Sequence, residues 1–310
     1  MSDFFFTYES LFDLILINSL LAMSQYVVLR AGVFSLGTAG FASLGAYGCA
    51  ILITRAGWPP VLAIVAGTLV GTVASALLAL PLARLRGVFQ AVATLAFVQI
   101  VLSATQNWTE LTNGSLGING IPNVAGFGTL LAVTAVAVLF FVLMGSYSFG
   151  RTLDVIREDE TVAVSLGISV PRYHRIAFLI SGAVAGLAGA LHSVNSYTIA
   201  PGEFGFQMLV NVLAMVVLGG RTSVWGALVG AAILSTLPEL FRVFADYRNV
   251  VQGALLMLVI IYLPRGVADT LIAAWRDRRS RRAPPDRVRA VAEAAPVVPA
   301  APGGGAEVRP

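Results

Sequence analysis

Long apolar runs, each near the length of a bilayer-crossing helix, recur along this chain and leave it few choices of fold. Backbone N–H and C=O groups in a hydrocarbon layer must find partners inside their own segment or in a closed barrel. Runs of about twenty residues satisfy that condition as helices. Only 12% of the 310 residues are charged, while 57% are hydrophobic. A soluble domain of this size carries about twice that charge. The mean hydropathy is +0.83. The fold class expected is therefore all-α, a polytopic membrane helix bundle.

Apolar runs read against polar breaks give about nine crossings, at 11–29, 31–54, 61–82, 88–106, 127–147, 174–193, 207–219, 224–241 and 250–264. Alternating them sorts the arginines, since Lys is absent. Arg30, Arg84, Arg86, Arg151, Arg157, Arg172, Arg175, Arg221 and Arg265 fall on one side, and Arg55, Arg242 and Arg248 on the other. The positive-inside rule puts the richer side in the cytoplasm. Residues 1–10 and the segments 107–126 and 195–206 are then external, and residues 11–266 form the transmembrane domain. The tail 267–310, rich in Arg, Pro and Gly, buries no core and is expected to be cytoplasmic and largely disordered. Its arginines are read as an anchor on anionic membrane lipid rather than a nucleic-acid site.

Chemistry is scarce within the spans. The single Cys49 excludes disulfides within the chain, and His174 and His192 are too far apart for a local metal pair. No catalytic cluster, metal set or cofactor motif is expected. Asp13 and Glu239 lie near span ends, and the middle is almost free of charge. Ion-coupled carriers usually hold an acid at membrane depth. Ser35, Gly37, Thr38, Gln99 and Asn211 are candidates for a solute path, with interhelical hydrogen bonding as the competing use. Five glycines between Gly32 and Gly48 should weaken or break the second span. Gly182–Gly186 and Gly226–Gly230 have the spacing of close helix packing. In the external stretch 107–126, Trp108, Leu116, Ile118 and Ile121 are read as apolar anchors of a packed loop or of a docking element.

One charged island stands between long apolar runs, at 150–172. Residues 157–168 are expected to form one helix about 18 Å long. Glu158, Asp159 and Glu160 would occupy its first turn, where the helix dipole favours negative charge. Gly167 and Pro171 would end it. Val162, Leu166 and Ile168 would give it an apolar side. Arg157, Glu158, Asp159, Glu160, Ala163 and Gly167 are the residues a cytoplasmic partner would grip.

The spacing Glu160, Ala163, Gly167 resembles the docking loop of ABC importer permeases. FSLGTAGFASLGAY at 34–47, RLRGVFQAVATLAF at 84–97, LTNGSLGINGIP at 111–122 and MVVLGGRTSVWGALVGA at 215–231 resemble the branched-chain amino acid permeases, the LivM-type subunit more than its LivH-type partner. Thr161 and Val162 stand where relatives carry Ala after the acid. The resemblance covers residues 15–266. It implies a non-catalytic, multi-pass subunit in a bacterial inner membrane. Its partners would be a LivH-like second permease subunit, two cytoplasmic ATP-binding subunits and an extracytoplasmic solute-binding protein. The chain has no phosphate-binding loop of its own. The alternative is a self-contained secondary carrier or channel for a small polar solute, against which the scarcity of buried acids counts.

Overall fold

The computed structural model describes residues 2–82 and 85–240, with Gly253 and Met257. Apart from those two positions, the ninth expected span lies outside the described residues, as do Arg84, Arg242, Arg248, Arg265 and the tail 267–310.

Eight helices follow the expected spans: α1 (Ser2–Arg30), α2 (Thr38–Thr54), α3 (Pro60–Leu82), α4 (Val88–Asn107), α6 (Phe127–Ser146), α9 (Val170–Asn195), α10 (Phe206–Gly219) and α11 (Val224–Leu240). Five of them contain stretches long and apolar enough to cross a bilayer, and α2, α10 and α11 are shorter. α1 starts nine residues ahead of the expected first span. Between the spans lie three short helices, α5 (Thr109–Thr112), α7 (Ser148–Glu158) and α8 (Glu160–Ser165).

α9 is the central helix, packed against α1, α2 and α3. Glycine makes that packing close. A Cβ on Gly71 would stand 2.8 Å from the Gly186 Cα and 3.2 Å from the Phe41 carbonyl, so the three backbones nearly touch. Gly182 and Gly186 thus serve as packing faces, and Gly226 and Gly230 do the same between α10 and α11. Away from this core, α3 exposes Val65, Leu69, Val73 and Leu77, and α6 exposes Leu131, Val136, Leu139 and Leu143. These aliphatic faces suit lipid, where no polar group seeks a partner.

The second span differs from expectation. α2 is continuous from Thr38, and residues 31–37 ahead of it are not helical. The glycines divide accordingly. Gly32 has φ +78° in the irregular stretch, while Gly40 and Gly45 lie inside α2 where neighbouring groups approach too closely for a side chain. A helix tolerates glycine when the contact it permits outweighs its propensity cost of about 1 kcal/mol.

At the two ends the arginine sort is reproduced. Arg30, Arg86, Arg157 and Arg221 gather at one end, through Asp154, Glu160 and the Arg221 carbonyl. Arg55 reaches Asn113 at the opposite end. There β1 (Ile118–Asn119) and β2 (Thr198–Ile199) pair antiparallel and join the two long connections. Ile118 and Ile121 are buried in that cap, as expected of anchors. Trp108 and Leu116 are not anchors, being 56% and 83% exposed. His174 is buried, and its Nε2 lies 3.0 Å from the Ala31 carbonyl.

Candidate functional site

The island departs from a single helix. α7 ends at Glu158, Asp159 is extended (φ −156°, ψ 111°), and α8 begins at Glu160. Only Glu160 occupies the first turn of α8. Two local demands explain the break. α7 turns Leu153 and Ile156 into the protein and leaves Arg151 exposed. Asp159 spends its carboxylate on the next helix instead of continuing the last one. Its Oδ1 accepts from the Thr161 N–H at 2.7 Å and the Val162 N–H at 3.3 Å, an N-cap. Those backbone hydrogen bonds hold its pKa below the usual carboxylate range.

α8 stops as sharply as it starts. The Gly167 N–H donates to the Val164 carbonyl and the Ile168 N–H to the Ala163 carbonyl, with Gly167 at φ +79°. This is a Schellman stop, and the left-handed residue it needs is the glycine. Ala163 packs down with Ile156, Val170 and the half-buried Ile168. Val162, Val164 and Leu166 are 50%, 61% and 67% exposed. A short rigid helix therefore presents a bare apolar edge beside Glu158, Asp159 and Glu160. The expected apolar side is split: Ile168 faces the protein, and Val162 and Leu166 face away.

What fixes the island to the bundle escaped the sequence reading. Arg30, at the end of α1, is 7% exposed. Its Nε and Nη2 donate to Asp154 Oδ1 and Oδ2, each at 2.8 Å, and its Nη1 donates to the Tyr26 hydroxyl at 3.1 Å. A bidentate guanidinium–carboxylate pair fixes orientation as well as distance. Gly32 abuts the Arg157 backbone, with 3.3 Å from a would-be Cβ to the Arg157 Cα. The signal available was one acid, Asp154, spaced between Arg151 and Arg157 on a helix that buries Leu153. Nothing local names Arg30 as its partner.

The five solute-path candidates part company. Ser35, Gly37 and Thr38 form one buried knot with Gln25. The Gln25 Nε2 donates to the Ser35 carbonyl at 2.7 Å, and the Thr38 Oγ1 donates to Gln25 Oε1 at 2.6 Å. The Gly37 N–H donates to Ser35 Oγ at 3.2 Å. The knot supplies partners for the irregular backbone that precedes α2, as burial at membrane depth requires. Gln99 lies elsewhere, exposed at the middle of α4 with Ala96 and Ser103 one turn to either side. Asn211 lines a cavity of about 420 Å³ among α1, α9, α10 and α11. Asn18 also lines it, with its Nδ2 donating to Ser235 Oγ at 2.8 Å. His192 and Glu203 lie at the rim, His192 Nε2 3.2 Å from Glu203 Oε2. Among the described residues no group of three or more His, Cys, Asp or Glu side chains could hold a metal ion.

Comparison with known proteins bears on this arrangement directly. The family described as branched-chain amino acid transport system / permease component matches residues 8–260. The high-affinity branched-chain amino acid transport system permease protein LivM of Salmonella typhimurium is 33% identical over 275 residues, covering 78% of this chain and 65% of that protein. LivM of Escherichia coli K12 is 34% identical over the same shares. The LivH permease protein of Salmonella typhimurium is 30% identical over 197 residues, 59% of this chain and 64% of that protein. The chain thus spans slightly less than two thirds of the length of these relatives. No solved structure gives a significant match. With the match running through every helix described above, the chain is a multi-pass membrane protein that belongs to the family of branched-chain amino acid transport system permease components.

Proposed function

We propose that this chain is a permease subunit of an ATP-driven importer for branched-chain amino acids or a related small solute, in a bacterial inner membrane. The arginine-rich end is cytoplasmic, and the paired strands lie outside. Two cytoplasmic ATP-binding subunits grip the island 150–172 and supply the energy. An extracytoplasmic binding protein delivers the solute, and a LivH-like permease completes the path. One observation carries this reading: α8 is capped by Asp159, stopped by Gly167 and seated on Ala163, yet leaves Val162, Val164 and Leu166 bare. A membrane protein gains nothing for its own fold from an ordered apolar edge in water. A partner groove does.

Gln99 fits the same assembly. An amide left bare to lipid is costly, whereas the exposed mid-span side chains of α3 and α6 are apolar. We place the Gln99 face of α4 toward the second permease or the path between them. Asn211 takes its place in the path through the cavity it lines.

The test is Glu160→Lys in the complete transporter, reconstituted with its binding protein. ATP-driven uptake is lost, while membrane insertion and binding-protein affinity are kept. Uptake at the normal rate in this variant refutes the coupling role. Uptake by the purified chain alone, driven by an ion gradient without ATP, establishes a secondary carrier in its place.

A further inference from the structure

The stretch between α1 and α2 belongs to no helix and to no strand pair, yet it runs at the depth of the helices. Ser35 is tied to Gln25, five residues before the end of α1, and Leu36 to Thr94, six residues into α4. Those ties stand about 8 Å inward from the helix ends. Burial along the stretch alternates. Ala31, Val33, Ser35 and Gly37 are buried, whereas Gly32 and Phe34 are exposed and Leu36 is half-buried. A period of two is that of an extended chain with one side in the protein and the other open. The open side carries a large bare ring, for Phe34 is 45% exposed.

The backbone limits what the open side can face. Gln25 and the Thr94 hydroxyl serve the Ser35 carbonyl and the Leu36 N–H. Among the described residues, the N–H groups of Phe34 and Ser35 and the carbonyls of Val33 and Phe34 have no hydrogen-bond partner. Irregular backbone at membrane depth is tolerated only inside protein or on a water-filled cavity, because hydrocarbon offers its polar groups nothing. Lipid is therefore excluded from this side, in contrast to the aliphatic faces of α3 and α6. A dry interface would have to match four peptide groups in fixed positions, whereas water matches them in any.

The stretch is also pinned to the island. The Gly32 backbone abuts Arg157 of α7, and the Ala31 carbonyl meets His174 of α9. Its other end hangs on Thr94 of α4. Phe34 stands between these pins, without the backbone hydrogen bonds that would hold it in one place. A shift of α7 against α4 moves it directly.

We propose that Phe34 is the inner gate of the translocation path: the open side of residues 33–36 lines the water-filled route, and the Phe34 ring closes it as a hydrophobic constriction that the island moves. The proposal rests on the importer reading, which makes this end cytoplasmic and gives α7 its push.

The experiment uses Phe34→Cys in inside-out vesicles that hold the complete transporter, with partner chains free of accessible thiols. The native Cys49 is fully buried and does not compete. A membrane-impermeant thiol reagent labels position 34 from the cytoplasmic side. Leu69→Cys, on the lipid face of α3, stays unlabelled, because the thiolate is the reacting form and hydrocarbon keeps a thiol neutral. Trapping the ATP-binding subunits closed with ADP and vanadate changes the labelling rate at position 34. Labelling there no faster than at position 69 overturns the path lining. Equal labelling in both nucleotide states, while uptake remains ATP-driven, overturns the gate. Leu36→Cys, on the same open side, gives the same readout if Phe34→Cys fails to insert. Phe34→Ala raises the ATP-independent leak of L-leucine from loaded vesicles about tenfold, which corresponds to about 1.4 kcal/mol of barrier, and Phe34→Leu restores the seal. A leak unchanged in Phe34→Ala overturns the gate. The two readings fail separately: labelling at position 34 with uptake that needs no ATP removes the importer and keeps the path lining, whereas ATP-driven uptake with position 34 unlabelled removes the gate and keeps the importer.

Discussion

Two places along α1 are held by different chemistry. At the arginine-rich end Arg30 is buried and grips Asp154 through two hydrogen bonds of 2.8 Å, with the Tyr26 hydroxyl behind it. About three turns earlier, in the middle of the helix, Asn18 makes one neutral hydrogen bond to Ser235 across the edge of a cavity. The first place is fixed in position and angle, and the second is lightly tied beside empty space. In the importer we propose, a push on α7 would pass along α1 to the cavity, because a helix is stiff along its axis.

Breaking the joint has the largest effect. Arg30→Met leaves the Asp154 carboxylate without its partner and the Tyr26 hydroxyl without its donor. Removing one member of a fully buried pair costs about 3–5 kcal/mol. Asp154 is 38% exposed, and water recovers part of that, so about 2 kcal/mol is expected. Thermal unfolding of the purified transporter in detergent shows the loss, and uptake falls with it. Arg30→Asp combined with Asp154→Arg restores part of both. Unchanged stability in Arg30→Met would erase the difference between the two places.

The frame of α8 comes next. Gly167→Ala forces a side chain into φ +79° and costs about 1 kcal/mol, local to the island. Hydrogen exchange at Ile168 rises, while the transmembrane helices keep their protection. Asp159→Ala frees the Thr161 and Val162 amides, which then exchange faster, and Asp159→Asn keeps them protected. The Asp159 pKa is depressed in the folded chain, so the cap's contribution is complete above the unfolded carboxylate pKa. It is lost only as pH falls through the depressed value. The protection of those two amides, measured against an unfolded chain at the same pH, therefore holds through neutral pH and falls only in acid.

The smallest stability change belongs to the lighter tie at Asn18. Asn18→Leu removes one neutral interhelical hydrogen bond, worth about 0.6 kcal/mol on average in membranes. The melting point moves little, and the Michaelis constant for uptake moves more. A loss of stability as large as that of Arg30→Met would show that α1 is as tightly held at Asn18 as at Arg30.

Much of this architecture was legible in the chain. The helices α1 to α4, α6 and α9 to α11 fall on the apolar runs, although α1 starts earlier and α2 later than expected, and the alternation of arginines assigns Arg30, Arg157 and Arg221 to one end and Arg55 to the other. Gly167 ends its helix as its position suggests. The break at Asp159 was within reach, since Asp ahead of Glu160-Thr161 is an N-cap signal, but uniform charge across the island masks it. Trp108 and Leu116 do not anchor the packing of their loop, because apolar character does not say which way a side chain is directed. The knot of Gln25, Ser35 and Thr38 was visible only as polar residues at membrane depth, not as partners of one another.

The sequence alone determined that the chain is a bundle of membrane helices with an ordered, charged island. An apolar run in a bilayer has no other way to satisfy its backbone, and caps and stops act within one turn of themselves. Only the tertiary structure decided that Asp154 belongs to Arg30, 124 residues away, and that Asn18 and Asn211 face one cavity. Those partnerships depend on which helices are neighbours. Backbone contacts such as Gly71 on Gly186 set that choice by letting α9 sink among α1, α2 and α3, and no local pattern records it.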